Sequence, residues 1–143
     1  MPEEAQLSNA SRGDSPDADW LIRKVILLAN MGIPTPITLT IPAGLVSGIL
    51  ISGKEYLDAF HAQLTGYWDQ AAAAKMLEYV QEWKAIYEVP VKGDEEKNIA
   101  YIHLRDAKVF TGGQFVPTNE GVLWRGKITS ISGFTIGIVD ETD

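Results

Sequence analysis

The chain has no Cys among its 143 residues. That absence excludes disulfide frameworks and thiolate metal sites. Histidine is nearly absent too, with only two residues, His61 and His103. They stand far apart in sequence, and no Cys/His/Asp cluster has metal-ligand spacing, so each reads as a surface or satisfied polar residue. No apolar run reaches the roughly 18 residues that a membrane span needs. The best candidate, Trp20 to Met31, is interrupted by Arg23 and Lys24. The start, Met1-Pro2-Glu3-Glu4, is acidic and carries no signal-peptide core. A soluble cytoplasmic protein is the expectation. Basic residues are also scarce, 12 against 19 acids, for a net charge of −7. Phosphate neutralisation needs clustered Lys and Arg, so this balance disfavours nucleic acid as a partner.

Charge is unevenly placed. Residues 1–19 hold five acids against Arg12, and 54–98 hold nine acids against five lysines. The segments 20–53 and 99–139 are mildly basic, and the end, Asp140-Glu141-Thr142-Asp143, is acidic. A chain of this length fits one domain with a core that needs no staples. Residues 1–16, rich in Ser, Asn, Gly, Pro, Asp and Glu, read as a disordered leader. Residues 17–143 read as the domain.

Hydrophobic spacing orders the elements. Asp17 or Asp19 can cap a helix starting near Trp20, with Trp20, Leu21, Ile22, Val25, Ile26 and Leu28 forming a broad apolar face. Gly32 ends it, and Pro34 and Pro36 prevent its return. Ile37, Leu39 and Ile41 alternate with Thr38 and Thr40, a strand with one face buried. Leu45 to Ser52 is a second strand, with Gly48 marking a bulge or bend. After Gly53 the period changes from two to 3.6. Tyr56, Leu57, Phe60 and Leu64 share one helix face, and Asp69 caps a second helix running to about Glu88. Pro90 to Lys97 is a polar linker. Ile99 to Leu104 and Ala107 to Phe110 form a third strand broken at Arg105-Asp106, and 114–120 form a loop. Val122 to Ile131 and Phe134 to Val139 then form a hairpin around Ser132-Gly133. The fold class is α+β: a small, strongly bent antiparallel barrel with an N-terminal helix and a helical insertion at about 54–88, between strands 2 and 3.

Four residues stand out as candidates for partner binding. Trp83 and Tyr87 lie on the helical stripe Met76, Leu77, Val80, Trp83, Tyr87. The stripe either packs on its own domain or faces a partner. Arg125, in Trp124-Arg125-Gly126, either contacts a partner or bonds loop carbonyls or Asp58 within the fold. Tyr56, with Asp58, either lines a binding site or belongs to the first turn of a helix whose dipole favours acids. Glu55 and Asp58 lack an accompanying His, nucleophile or phosphate loop, and Thr111-Gly112-Gly113 lacks a following Lys-Ser/Thr. No catalytic residue, cofactor or metal is expected.

The order helix, strand, Gly-bent strand, insertion, strand, Arg-Gly strand resembles the Sm-like (SH3-like) five-stranded barrel. Trp124-Arg125-Gly126 fits the second Sm motif. Gly48 and Lys54 to Asp58 fit the first loosely, without the nucleotide-binding Asn after Asp58. A fuller resemblance covers most of 34–139. Ile51-Ser52-Gly53-Lys54-Glu55-Tyr56-Leu57-Asp58, Ile102-His103-Leu104 and Leu123-Trp124-Arg125-Gly126-Lys127-Ile128, with Gly133-Phe134 and Gly137, look like the gas vesicle accessory protein U family. That resemblance implies a non-enzymatic, vesicle-associated protein. It would bind shell or other accessory proteins to support vesicle formation or clustering, and it leaves a homo-oligomer open. The alternative is an Sm-like RNA-binding ring. The leader yields the first test: hydrogen exchange should show no protected amide before Asp17, and protection there would overturn its reading as disordered.

Overall fold

Asp19 and four-residue apolar spacing set the first helix. The computed structural model describes residues 18–88 and 99–139. The leader 1–16, the linker 90–97, the acidic end 140–143 and Asp17 as a cap lie outside the described residues. Helix α1 spans Trp20–Asn30. The Asp19 carboxylate accepts from the Leu21 N–H at 3.0 Å, which satisfies one of the orphan donors at the helix start. Ile22, Ile26 and Ala29 are buried along one stripe, while Leu21 and Leu28 stay exposed.

Strands β1 (Thr35–Ile41) and β2 (Gly44–Ile51) pair antiparallel. Two helices follow, α2 (Gly53–Leu64) and α3 (Gln70–Lys84), and a 3-10 turn covers Ala85–Tyr87. Each helix has a side-chain cap: Ser52 accepts from the Glu55 N–H at 3.0 Å, and Asp69 from the Ala72 N–H at 2.8 Å. The helical insertion between the second and third strands therefore stands where the change of period placed it.

Strand β3 (Tyr101–Thr111) is the longest in the sheet. One edge pairs with β2. The other edge is shared by β4 (Gln114–Val116) and β5 (Val122–Lys127). Strand β6 (Gly133–Ile136) takes the outer edge of β1. The register of β3 shifts against both β2 and β5 around Arg105–Asp106, where Asp106 has φ 53°. The expected break is thus a bulge within one continuous strand, and the extra residue lies on β3, opposite Gly48.

Four expectations change. The sheet order is β4-β3-β2-β1-β6 with β5 beside β3, and no ladder among the described residues joins β6 to β4 or β5. The six-stranded antiparallel sheet is bent but not closed by pairing, so the α+β class holds without a closed barrel. The 114–120 segment begins with a strand, because Gly112 and Gly113 both adopt positive φ, 61° and 85°, and turn β3 directly into β4. The last two strands are not a hairpin. A 3-10 turn at Ile128–Ser130 buries Ile128 and carries the chain to β1, where the Ser132 N–H donates to the Thr40 carbonyl at 2.9 Å. Thr38, expected on an open face, is buried under Gly137–Val139. Its hydroxyl reaches Ser47 Oγ at 2.9 Å and the Gly137 carbonyl at 2.8 Å, so burial leaves it satisfied.

Strand alternation divides the sheet into two environments. Leu50, Leu104 and Trp124 sit side by side by register, on the face covered by α1. One residue along, Ile51, His103 and Arg125 sit side by side on the opposite face, where α2 packs on β3 and β5. The first face holds the core: Ile22, Ile26, Ile37, Leu39, Val46, Leu50, Ile102 and Leu104 are each almost wholly buried. The Trp124 ring joins this core and lies over Gly126, where any Cβ would collide with it. Trp124→Ala should cost about 3 kcal/mol of unfolding free energy. Gly126→Ala should cost about 1–3 kcal/mol by forcing the ring off its seat. Urea denaturation of both variants measures this; unchanged midpoints would show that the ring contributes no packing.

Candidate partner-binding groove

The second face is built from β3 and β5 upward. His103 on β3 is 2% exposed. Arg125 on β5 is its register partner, and the Arg125 Nε–H donates to His103 Nε2 at 3.1 Å. An imidazole nitrogen that accepts carries no proton, so His103 is neutral here. Burial, with the Arg125 charge adding to it, holds the His103 pKa down at about 3. The guanidinium also lies 3.8 Å above the Tyr101 ring, a cation–π contact, and donates to the Tyr87 hydroxyl at 3.3 Å.

The helical insertion supplies the other walls. Tyr56 stacks on Phe60 one turn along α2, at 6.0 Å between centroids, and tilts against His103 at 4.6 Å. Tyr87 meets His103 edge-on at 5.3 Å. The Tyr87 ring occupies the space above Gly53, where a Cβ would strike it. Gly53 is fixed in turn by its N–H, which donates to Asn30 Oδ1 of α1 at 3.1 Å. Burial raises the Tyr56 pKa; Arg125 opposes the shift and Tyr87 adds to it.

These contacts leave an open groove of about 280 Å³, lined by Tyr56, Leu57, Phe60, Trp83, Ile86, Tyr87 and Arg125. All four residues singled out in the sequence, Tyr56, Trp83, Tyr87 and Arg125, line it. The stripe on α3 is divided between burial and exposure. Val80 is buried against the rest of the fold, whereas Trp83 is 38% exposed and faces the groove. Arg125 does not bond Asp58 as one reading had it. Lys84 takes Asp58 at 2.9 Å, because α3 packs alongside α2 and brings that amine closer. Sequence reasoning missed Phe60, Leu57 and Ile86 as groove residues and His103 as the buried partner of Arg125. His103 carried a signal in Ile102-His103-Leu104, a polar residue between two apolar ones in a strand.

Chemically, the groove offers apolar contact and one cation. Among the described residues, no group of three His, Asp or Glu side chains could hold a metal ion. No described helix is long and apolar enough to cross a membrane. The depressed His103 pKa ties stability to pH. The neutral imidazole favours the fold fully above pH 6.5, the unfolded value, and that contribution falls away as pH drops toward about 3. Between pH 7 and 5 wild type should lose about 2 kcal/mol on this account, at about 1.4 kcal/mol per pH unit. His103→Gln should remove that limb. Paired urea titrations at the two pH values check it, and parallel losses in both proteins would refute it.

No curated protein and no solved structure matches the chain significantly. A family model does, described as gas vesicle protein GvpU-like, over residues 19–139. The match runs from the cap of α1 to the segment that covers Thr38, and it includes the whole groove. The chain therefore belongs to the gas vesicle protein GvpU-like family.

Proposed function

We infer that this protein is a cytoplasmic gas vesicle accessory protein that works by binding, with the groove of the α2–α3 insertion as its docking surface for a vesicle shell or accessory protein. One observation carries the reading. The insertion keeps large apolar side chains at the surface, and two of them, Trp83 and Ile86, line the groove itself. Tyr67 is fully exposed, Ile86 is 74% exposed, and Trp68, Leu77, Tyr79 and Trp83 are each more than a third exposed. Scattered single hydrophobics need no explanation, but exposed Trp83 and Ile86 gathered with Tyr56, Phe60 and Tyr87 in one groove favour an interaction surface. Aromatic residues and Arg are also the side chains enriched at the centres of protein interfaces.

Contact through this surface is mainly apolar. It resists screening better than a charge-driven contact with a shell or a nucleic acid would. The absence of Asn after Asp58 and the acidic balance leave an RNA-binding ring without support of this kind.

Flotation tests the reading. Purified chain mixed with intact gas vesicles should rise with them and remain bound when salt is raised to about 0.5 M, where screening lengths fall to a few ångströms. Trp83→Ser should reduce the floated fraction about tenfold or more with little loss of stability, as expected of a central aromatic anchor. Tyr87→Ser should also lower the melting temperature, because its ring is seated on Gly53 and its hydroxyl on Arg125. A chain that stays in the subnatant at every salt concentration and instead binds RNA tightly would replace this reading with the Sm-like one.

A further inference from the structure

The groove is selective about charge in a way its apolar walls do not require. The cations on its rim are paired: Lys54 with Glu88 at 2.8 Å, Lys84 with Asp58 at 2.9 Å, and Arg105 with Asp106 at 2.8 Å and Glu55 at 3.5 Å. Arg125 differs. Its described partners are an imidazole, a phenol hydroxyl and an aromatic face, all neutral. Among the described residues no carboxylate pairs with it. The guanidinium is exposed and lines the groove. Its Nε–H is held by His103, and one terminal nitrogen by Tyr87. The other terminal nitrogen makes no hydrogen bond among the described residues.

We propose that the groove takes an amphipathic segment of a partner protein, with a carboxylate of that segment seated on Arg125 and large apolar side chains on Tyr56, Phe60 and Trp83. The proposal rests on the binding reading given above and names the chemistry of the partner. Charge complementarity selects the acid. A cation already fixed by neutral donors and rings meets a carboxylate with little ordering left to do. The lining selects side chains over a small free anion. Tyr56, Leu57, Phe60, Trp83, Ile86 and Tyr87 offer rings and aliphatic carbons beside the one cation, which suits a few anchoring apolar side chains next to a single acid. A free phosphate or carboxylate would find one cation and apolar walls. The net charge of −7 does not forbid an acidic partner. The rim acids are paired, and more distant charges are screened beyond about 8 Å at physiological salt.

Phage-displayed random 12-residue peptides selected on the wild-type chain test this. Enriched peptides should carry Asp or Glu three or four residues from Leu, Ile, Met or Phe. Replacing that acid by Gln or Asn in the synthetic peptide should weaken binding about tenfold, read by fluorescence anisotropy. This arm changes only the peptide, so it stands whether or not a protein variant folds. Arg125→Gln, checked for an intact melting transition, should bind the acidic and neutral peptides equally. Enrichment of peptides without an acid, no enrichment at all, or a Kd unchanged within twofold by the acid's removal would overturn the proposal. Sedimentation of the chain alone reads the competing occupant. An oligomer lost on Arg125→Gln would put a second copy in the groove and overturn a heterologous partner. Flotation separates this proposal from the broader reading. If wild type and Arg125→Gln float equally well, the acid anchor fails and vesicle binding stands. If wild type does not float, vesicle binding fails and the peptide arm still decides the anchor.

Discussion

Strand β3 is the constraint on which the rest of the fold depends. It is the longest strand of the sheet, paired with β2 on one edge and with β4 and β5 on the other. A strand buried on both edges presents alternate residues to opposite faces. Ile102 and Leu104 therefore enter the core under α1, and His103 between them faces the helical insertion. The bulge at Arg105–Asp106 lets one strand serve both ends of the sheet. It re-aims the chain so that Ala107 returns to the core and Phe110 can pack on Phe115 of β4 at 4.9 Å.

The same alternation on β5 separates the core from the groove within three residues. Trp124 turns to the core and lies on Gly126. Arg125 turns to the opposite face and meets His103, Tyr87 and Tyr101. A substitution at one position need not disturb the other. The buried, neutral His103 is what makes this workable. It accepts from the guanidinium without adding a second positive charge or neutralising the first, so Arg125 keeps its charge while its geometry is held. A carboxylate in that place would have bound Arg125 more tightly and left the groove electrically silent.

The insertion is packed unequally. Helix α2 rests on β3 and β5, and α3 rests mainly on α2. Among the described residues of α3 only Val80 is fully buried. A helix so lightly anchored keeps apolar side chains at the surface that a core helix would hide. Its cap at Asp69 and the Lys84–Asp58 ion pair to α2 hold it in place in compensation.

The sequence by itself determined the local elements. The change of period after Gly53, the caps Asp19 and Asp69, and the alternation in Ile37-Thr38-Leu39-Thr40-Ile41 depend on nearest neighbours, and those elements stand where they read. It also marked Tyr56, Trp83, Tyr87 and Arg125 as candidates, the aromatics by their places on the helical segments and Arg125 by its Trp-Arg-Gly setting. What it could not contain was pairing at a distance. Two adjacent strand patterns around Ser132-Gly133 look like a hairpin, and only the burial of Ile128 and the open edge of β1 send the second strand elsewhere. Thr38 reads as exposed until Gly137–Val139 fold over it. The groove belongs to the same class. Arg125 meets His103 across 22 positions and Tyr87 across 38. Such contacts exist only once the sheet register and the seat of Tyr87 on Gly53 are set, so the tertiary structure alone decided that four separate residues form one site.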